Sequence, residues 1–224
     1  MALKKKFVEI EVPMIGETVE VLGTVENLKG RNIKLDMSRR LRGRGLEISF
    51  KILSFGNKLV AFPRKMQLMK SFIRRVMRLN ADYVEDSFKA ECKDIKVIIK
   101  PFLITRKRVS RAIRKNLRNT CREFLIEHLK ERNYADVCYG IYSSELQRVL
   151  LPKLKKVYPL SFCDIRVFEG KELEKIDLAN SMAEFEKKKD NKIEENYEQE
   201  IFEEEPREKV SKEKDSEEES DKKE

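Results

Sequence analysis

The sequence has only one histidine and four cysteines that lie far apart, so it lacks the residues that build most metal and catalytic sites. Cys92, Cys121, Cys138 and Cys163 include no CxxC pair, and zinc ligation needs clustered ligands. We therefore expect reduced, structural thiols, as in a cytosolic protein, and neither a metal nor a cofactor. His128 falls on the apolar side of a helical pattern, which indicates a core or boundary histidine rather than a catalytic one.

Catalytic signatures are missing as well. The sequence contains no GxSxG, Walker loop, GxGxxG or HExxH pattern. Carboxylate pairs such as Glu9 with Glu11, and Asp82 with Glu85, occur at spacings that strands and turns produce routinely. The sequence therefore predicts a protein that is not an enzyme.

Long apolar runs are also absent. Because no stretch reaches the roughly 18 apolar residues that a spanning helix needs, we expect no membrane partner. The first residues, MALKKKFVEIEVP, carry charge without a following apolar region, so a signal peptide is not expected. These absences together predict a cytoplasmic protein.

Charge is what the sequence has in excess, since charged residues make up 40% of the chain. Of its 49 basic and 40 acidic residues, 12 and 21 fall in residues 171–224, which leaves 37 and 19 in residues 1–170. The first segment is therefore strongly cationic and the second anionic. This split predicts a nucleic-acid-binding domain over 1–170, followed over 171–224 by a charged helix and a disordered acidic tail.

Alternating apolar and polar residues predict strands in the first third of the chain, and helical periods follow later. The expected strands there are Phe7–Val12, Thr18–Leu22, Asn32–Met37, Leu46–Leu53 and Lys58–Phe62, the last two joined by a tight turn at Gly56-Asn57. The expected later elements are helix Gln67–Leu79, strands Tyr83–Lys93 and Asp94–Thr105 with an edge or bulge at Pro101, helices Lys107–Leu129, Tyr134–Ile141 and Glu145–Lys156, and strand Ser161–Phe168. The pattern predicts an α+β fold: a mainly antiparallel, barrel-like sheet packed with about three to four helices, plus a disordered acidic C-terminal tail.

The helix over Lys107–Leu129 has one purely basic side over its first four turns. The cations on this arc are Arg108, Arg111, Arg114, Lys115, Arg118 and Arg122. A solvated helix face normally mixes both signs, whereas a row of like charges repels itself and favours a polyanion as partner. The helix is therefore the first candidate for a nucleic-acid contact.

A second candidate is the loop SRRLRGRG at Ser38–Gly45, which joins two predicted strands. Its arginines lie beside two glycines that let a backbone approach a phosphate closely, and arginine suits bidentate phosphate contacts. The next helix turns further arginines outward. The candidate ligands of these two elements are Arg39, Arg40, Arg42 and Arg44 in the loop, with Arg74 and Arg75 in the helix.

Four segments share their order and spacing with a known protein family. They are LKGR (Leu28–Arg31), GNKLVAFPRKMQLMKSFIRRVMR (Gly56–Arg78), RKRVSRAIRKNLR (Arg106–Arg118) and KKVYPLSFCDIRV (Lys155–Val167). Through them the chain resembles, over roughly residues 4–170, the archaeal and eukaryotic small-subunit ribosomal protein family called S-three-a-e, or e-S-one. The resemblance implies a structural constituent of the small ribosomal subunit with a mixed α+β fold. It also implies a place on the platform near the mRNA exit, against the 3′ region of the small-subunit rRNA, with mRNA and other ribosomal proteins nearby.

Two alternatives stay open at the level of the sequence. One is a free DNA-binding protein of the nucleoid type that places the same helix in a groove, although few base-reading Asn or Gln residues accompany its arginines. The other is an RNA-processing enzyme, which the missing acid and base residues disfavour. Preference for duplex DNA over structured RNA would support the first alternative, and turnover of an RNA substrate would support the second.

Overall fold

The computed structural model describes residues 6–55, 58–171 and 185. The predicted turn at Gly56-Asn57, the charged helix and the acidic tail lie outside the described residues. The chain divides into two units, Met1–Phe185 and Glu186–Glu224, and only the first contains described residues. Among the described residues, no helix has the length and apolar character needed to cross a membrane.

Nine strands and five helices make up the described part of the first unit. The strands are β1 (Lys6–Val12), β2 (Glu17–Gly23), β3 (Asn32–Asp36), β4 (Leu46–Phe55), β5 (Lys58–Leu68), β6 (Tyr83–Glu85), β7 (Phe88–Glu91), β8 (Lys96–Thr105) and β9 (Leu160–Gly170). The helices are α1 (Val25–Leu28), α2 (Lys70–Val76), α3 (Arg111–Lys130), α4 (Tyr134–Tyr142) and α5 (Glu145–Lys155).

The nine strands form one sheet in the order β2-β1-β5-β9-β8-β6, with β4 pairing to β5, β3 to β4, and β7 to β8. Within the described residues every ladder is antiparallel except that of β1 with β5, which is parallel at Glu11 and Val60. The predicted α+β class is confirmed. The sheet is mixed and does not close, so the barrel-like description holds only in part, and the described residues contain five helices rather than three to four. The single turn of α1 is too short to give a period in the sequence.

Two prolines explain irregularities in the sheet. In β5, Pro63 pairs with Phe50 while Lys65 pairs with Ser49, so one extra residue bulges out beside a proline that has no N–H to donate. In the β8–β9 ladder, Lys100 pairs with Val167 and Pro101 with Ile165, so the extra residue lies in β9, opposite the proline. The irregularity expected at Pro101 is confirmed.

The strand predicted at Tyr83–Lys93 is in fact two short strands. β6 pairs with β8 from Phe102 onward, and β7 pairs with β8 up to Ile99. Pro101 lies between these two ladders and cannot donate to a neighbour, so we attribute the interruption to it. The helix predicted at Gln67–Leu79 is also shorter than expected, because β5 continues to Leu68.

A stack of buried aromatic rings fills the centre of the fold. Tyr134 lies 5.5 Å from Phe168 and 6.0 Å from Phe62, measured between ring centroids, and Phe185 packs on Phe62 at 6.0 Å. The Tyr134 hydroxyl donates to the carbonyl oxygens of Pro63 (3.0 Å) and Arg64 at the β5 bulge. This core fixes the sheet against α4, and so fixes the elements that carry the cationic side chains.

Candidate nucleic-acid interface

Helix α3 is amphipathic, as the sequence predicted. Its buried side chains contact β6, β7 and α5, and are Leu117, Cys121, Phe124, Leu125 and Leu129. The helix begins at Arg111, later than expected, because Ser110 caps it by accepting a hydrogen bond from the Ile113 N–H (3.4 Å). The residues just before it are held by Asp82, whose carboxylate accepts from the Val109 N–H (2.9 Å). Burial of these side chains holds α3 in one orientation, and so fixes where its exposed side chains point.

The first turns of α3 carry a group of positive charges that no described acidic side chain pairs. We define the α3 cationic face as Arg108 and the α3 residues Arg111, Arg114, Lys115 and Arg118. Arg114 is half-buried and the other four are exposed. No ion pair or side-chain hydrogen bond links any of the five to another residue that the structure describes. Arg108 precedes the helix, so it extends the face beyond the first turn.

Arg122, the sixth predicted cation, is bound within the protein. Its guanidinium donates to both carboxylate oxygens of Asp86, at 3.1 and 3.0 Å, and lies over the Phe88 ring, 5.4 Å from the centroid. It therefore joins α3 to the β6–β7 region. Since Asp86 already balances its charge, we leave it out of the α3 cationic face.

Three of the four loop arginines reach the surface. Arg39, Arg40 and Arg42 are exposed, but Arg40 forms an ion pair with Glu17, which lowers the pKa of that carboxyl. The loop turns at Arg42 and Gly43, whose φ angles of 49° and 87° lie in the left-handed region. At its start, Asp36 accepts from the N–H (2.8 Å) and hydroxyl of Ser38, and these bonds lower the pKa of Asp36. The loop therefore has a fixed backbone that presents Arg39 and Arg42 outward.

Arg44, the fourth loop arginine, is an internal anchor. Its side chain is 13% exposed, and it grips Asp164 of β9 through Nε–Oδ2 (2.9 Å) and Nη2–Oδ1 (2.7 Å). Its Nη1 also donates to the Ile141 carbonyl (2.8 Å) and to the Ser144 hydroxyl (2.8 Å). Because these donors are satisfied inside the protein, Arg44 is placed to hold the loop rather than to contact a ligand.

Helix α2 lies against this loop. The Met69 N–H donates to the Gly45 carbonyl (2.8 Å), and a Cβ at Gly45 would stand 2.7 Å from the Cβ of Phe72. Arg75 donates to the Gly43 carbonyl (2.7 Å) and lies over the Phe72 ring. The loop and α2 thus form a second basic surface, which we call the loop–α2 surface. Its exposed arginines without a hydrogen bond or ion pair among the described residues are Arg39, Arg42 and Arg74.

His128, Cys92 and Cys121 lie outside these surfaces and are packed into the fold. His128 is half-buried and stacks on Phe124, and burial is the main cause of its lowered pKa. Burial also raises the pKa of Cys92 and Cys121 to about 12, so both thiols stay protonated at neutral pH. Within the described part of the chain, no three His, Cys, Asp or Glu side chains are grouped to hold a metal ion.

The comparisons with known proteins decide between the classes that the sequence left open. The family model for the ribosomal S3Ae family matches residues 2–172. The chain belongs to this family. A similar protein is the small ribosomal subunit protein eS1 of Nanoarchaeum equitans (strain Kin4-M), 28% identical over 186 residues, which are 75% of this chain and 93% of that protein.

Membership of the ribosomal S3Ae family confirms the resemblance seen in the sequence. The chain is a structural constituent of the small ribosomal subunit, located in the cytoplasmic ribosome, and it associates there with small-subunit rRNA and neighbouring ribosomal proteins. The family is a structural, non-enzymatic kind of protein, which favours the ribosomal assignment over the nucleoid protein and the RNA-processing enzyme.

Proposed function

We propose that the chain attaches to small-subunit rRNA through the α3 cationic face and the loop–α2 surface, and that it reads the shape of the phosphate backbone rather than base sequence. The observation that carries this proposal is the α3 cationic face itself. Five cations lie together there, and none is paired with another described residue. Their mutual repulsion is relieved when a polyanion replaces the water and counterions around them.

The rigid support of both surfaces favours tight binding. α3 is fixed by its buried side, and Arg44 fixes the loop, so neither backbone has to be ordered when RNA binds. Arginine forks can grip two phosphate oxygens at once, which a lysine ammonium cannot do. Arg40, Arg75 and Arg122 already have protein partners, and we assign them to holding these surfaces in place.

We further propose the address implied by the family resemblance: the platform near the mRNA exit, against the 3′ region of the small-subunit rRNA, with mRNA nearby. In such a place a protein has to follow irregular RNA rather than a regular duplex. Two fixed basic surfaces of different curvature, a straight helix and a turned loop, suit that task.

Binding of the purified protein to a small-subunit rRNA transcript tests the proposal. If about six to ten phosphates are neutralised, the affinity of the native protein falls about 10³- to 10⁵-fold between about 50 and 200 mM salt. The variant R111E/R114E/R118E is expected to bind far more weakly, with a salt slope lower by about three. Its helix should persist, since acidic residues in the first turns interact favourably with the helix dipole.

The matched control is K93E/K130E/K156E, which makes the same change in net charge at three exposed lysines away from both surfaces. It is expected to retain most of the native affinity and salt slope. Equal losses in the two variants would show that only net charge matters, and would refute the assignment of binding to the α3 cationic face.

A further inference from the structure

A cleft of about 480 Å³ lies where the segment before α3, helix α5 and the start of β9 meet. Its size falls within the range of about 300–1,000 Å³ that small-molecule sites occupy. Neither the sequence patterns nor the family assignment points to it. Its chemistry comes from three features: a cationic rim, an apolar wall and a buried amide.

The rim of the cleft carries three exposed cations: Arg106 before α3, and Arg148 and Lys155 on α5. The two α5 residues are seven apart, so they lie on the same side of the helix. Arg106 is held beside them by its N–H, which donates to the Pro159 carbonyl (3.3 Å). The lining includes one carboxylate, Asp164, and Arg44 already neutralises it. The rim therefore offers three positive charges with no anion of the described chain to balance them.

The wall of the cleft is apolar and rigid. Leu151, Leu160 and Phe162 line it. The Phe162 ring is held edge-on between the rings of Phe72 (5.9 Å) and Phe102 (6.3 Å), so its position is fixed by packing. A fixed, half-buried ring beside cations is the combination that binds the sugar and base of a nucleotide while the cations bind its phosphate.

The floor of the cleft has a buried acceptor that lacks a donor. Gln147 is 7% exposed, and its amide nitrogen donates to Asp164 Oδ1 (2.8 Å) and to the Ile141 carbonyl (3.3 Å). These bonds fix the orientation of the amide, since both partners are acceptors. Its Oε1 has no hydrogen-bond partner among the described residues, and a buried acceptor left unpaired is unfavourable. A ligand hydroxyl or N–H would satisfy this oxygen once the atoms that cover it shift aside.

We propose that this cleft binds one nucleotide of an unpaired RNA strand. Arg106, Arg148 and Lys155 contact its phosphate, Phe162 and Leu151 pack against its sugar and base, and its ribose hydroxyl donates toward Gln147. Bases can be splayed into such a cleft only where the RNA is single-stranded. The inference rests on the proposed rRNA-binding function and deepens it.

The position of the cleft supports RNA as its occupant. Arg106 stands two residues before Arg108, so the cleft adjoins the α3 cationic face along the chain. Its floor includes Arg44, which anchors the loop of the loop–α2 surface. An RNA strand that leaves the α3 cationic face would therefore reach the cleft next.

The first test compares R148E/K155E with a matched control, K130E/K156E, whose lysines are exposed but do not line the cleft. The probes are a short fluorescent oligouridylate and its 2′-deoxy counterpart. The native protein is expected to prefer the RNA probe. R148E/K155E is expected to lose that preference and to show a salt slope lower by about two, whereas the control behaves like the native protein. Binding of R148E/K155E at the control's level, or equal affinity of the native protein for both probes, would overturn the proposal.

The second test maps contacts without any substitution. Ultraviolet cross-linking of the native protein to oligouridylate, followed by peptide mass spectrometry, is expected to place a cross-link on the peptide that carries Phe162. Cross-links confined to α3 would count against the cleft. Suppression of this cross-link by free uridine monophosphate at micromolar concentration would also overturn the proposal, because it would indicate a site for free nucleotides.

Failure of the cleft and failure of the proposed function give different results. If R111E/R114E/R118E loses binding to the rRNA transcript and R148E/K155E keeps its binding to oligouridylate, only the cleft is wrong. If the native protein binds neither the transcript nor oligouridylate, both the proposed rRNA surface and the cleft are wrong.

Discussion

Replacing Arg44 by methionine tests whether this arginine holds the loop. The substitution keeps the apolar stem and removes the guanidinium, so four hydrogen bonds of 2.7–2.9 Å are lost, two of them to Asp164. Asp164, whose side chain is 4% exposed, is then left without its counter-charge. Removing one partner of a buried pair typically costs about 3–5 kcal/mol. Because Asp164 keeps its bonds from Gln147 and Ile165, we expect the lower end, about 3 kcal/mol.

Urea unfolding followed by circular dichroism measures this loss. R42M is the matched control, since Arg42 is exposed in the same loop and has no described partner, and it should change stability by less than about 0.5 kcal/mol. The double variant R44M/D164N should recover much of the loss, because it removes both charges together. A loss below about 1 kcal/mol for R44M would place the pair with ordinary surface ion pairs and refute the anchoring role.

Three further effects on stability are expected, at Gly45 (with Gly140 as its control), Tyr134 and His128. G45A is expected to lower the free energy of unfolding by about 1–3 kcal/mol, because the new Cβ would stand 2.7 Å from the Phe72 Cβ. G140A is the control: an added Cβ in α4 would meet no atom within 4 Å, so the substitution should raise the free energy of unfolding by up to about 1 kcal/mol. Y134F is expected to cost about 1–2 kcal/mol, since two carbonyl oxygens at the β5 bulge lose their donor. H128Q is expected to reduce the loss of stability on acidification. The pKa of His128 is lowered in the folded state, so the unfolded chain binds the proton first as the pH falls through about 6.5. Stability of the native protein therefore declines in that range, and glutamine removes this contribution.

Urea unfolding also measures these three effects, for H128Q as a function of pH. Equal stability of G45A and the native protein would show that α2 can move away from the loop at little cost. An unchanged midpoint for Y134F would mean that the bulge carbonyls find other donors. Identical pH profiles for H128Q and the native protein would remove His128 as a source of the acid sensitivity.

The parts of the fold that local periodicity encodes were predictable. The buried side of α3 follows from apolar residues at helical spacing, and the alternation in β4 gives Leu46, Ile48, Phe50 and Ile52 their burial. The irregularity at Pro101 was also readable, because a proline has no N–H to give to a ladder. These features depend on residues close together in the chain.

Features that depend on distant partners were not predictable in the same way. Arg44 looks like its neighbours in the loop, and only Asp164, 120 residues further on, distinguishes it. The rim of the cleft combines Arg106, before α3, with Arg148 and Lys155 of α5, and no sequence pattern links the two segments. Whether the sheet closes is likewise set by strand pairing over the whole chain. Charge composition therefore indicates what class of partner is bound, while the fold decides which cations are free to bind it.

Sedimentation of the tagged protein on sucrose gradients tests the central claim most directly. The native protein and K93E/K130E/K156E are expected to sediment with small ribosomal subunits and whole ribosomes, and R111E/R114E/R118E is expected to stay near the top of the gradient although it is folded by circular dichroism. If R111E/R114E/R118E sediments with small subunits as fully as the native protein, and stays there through a high-salt wash, the α3 cationic face does not attach this protein to rRNA.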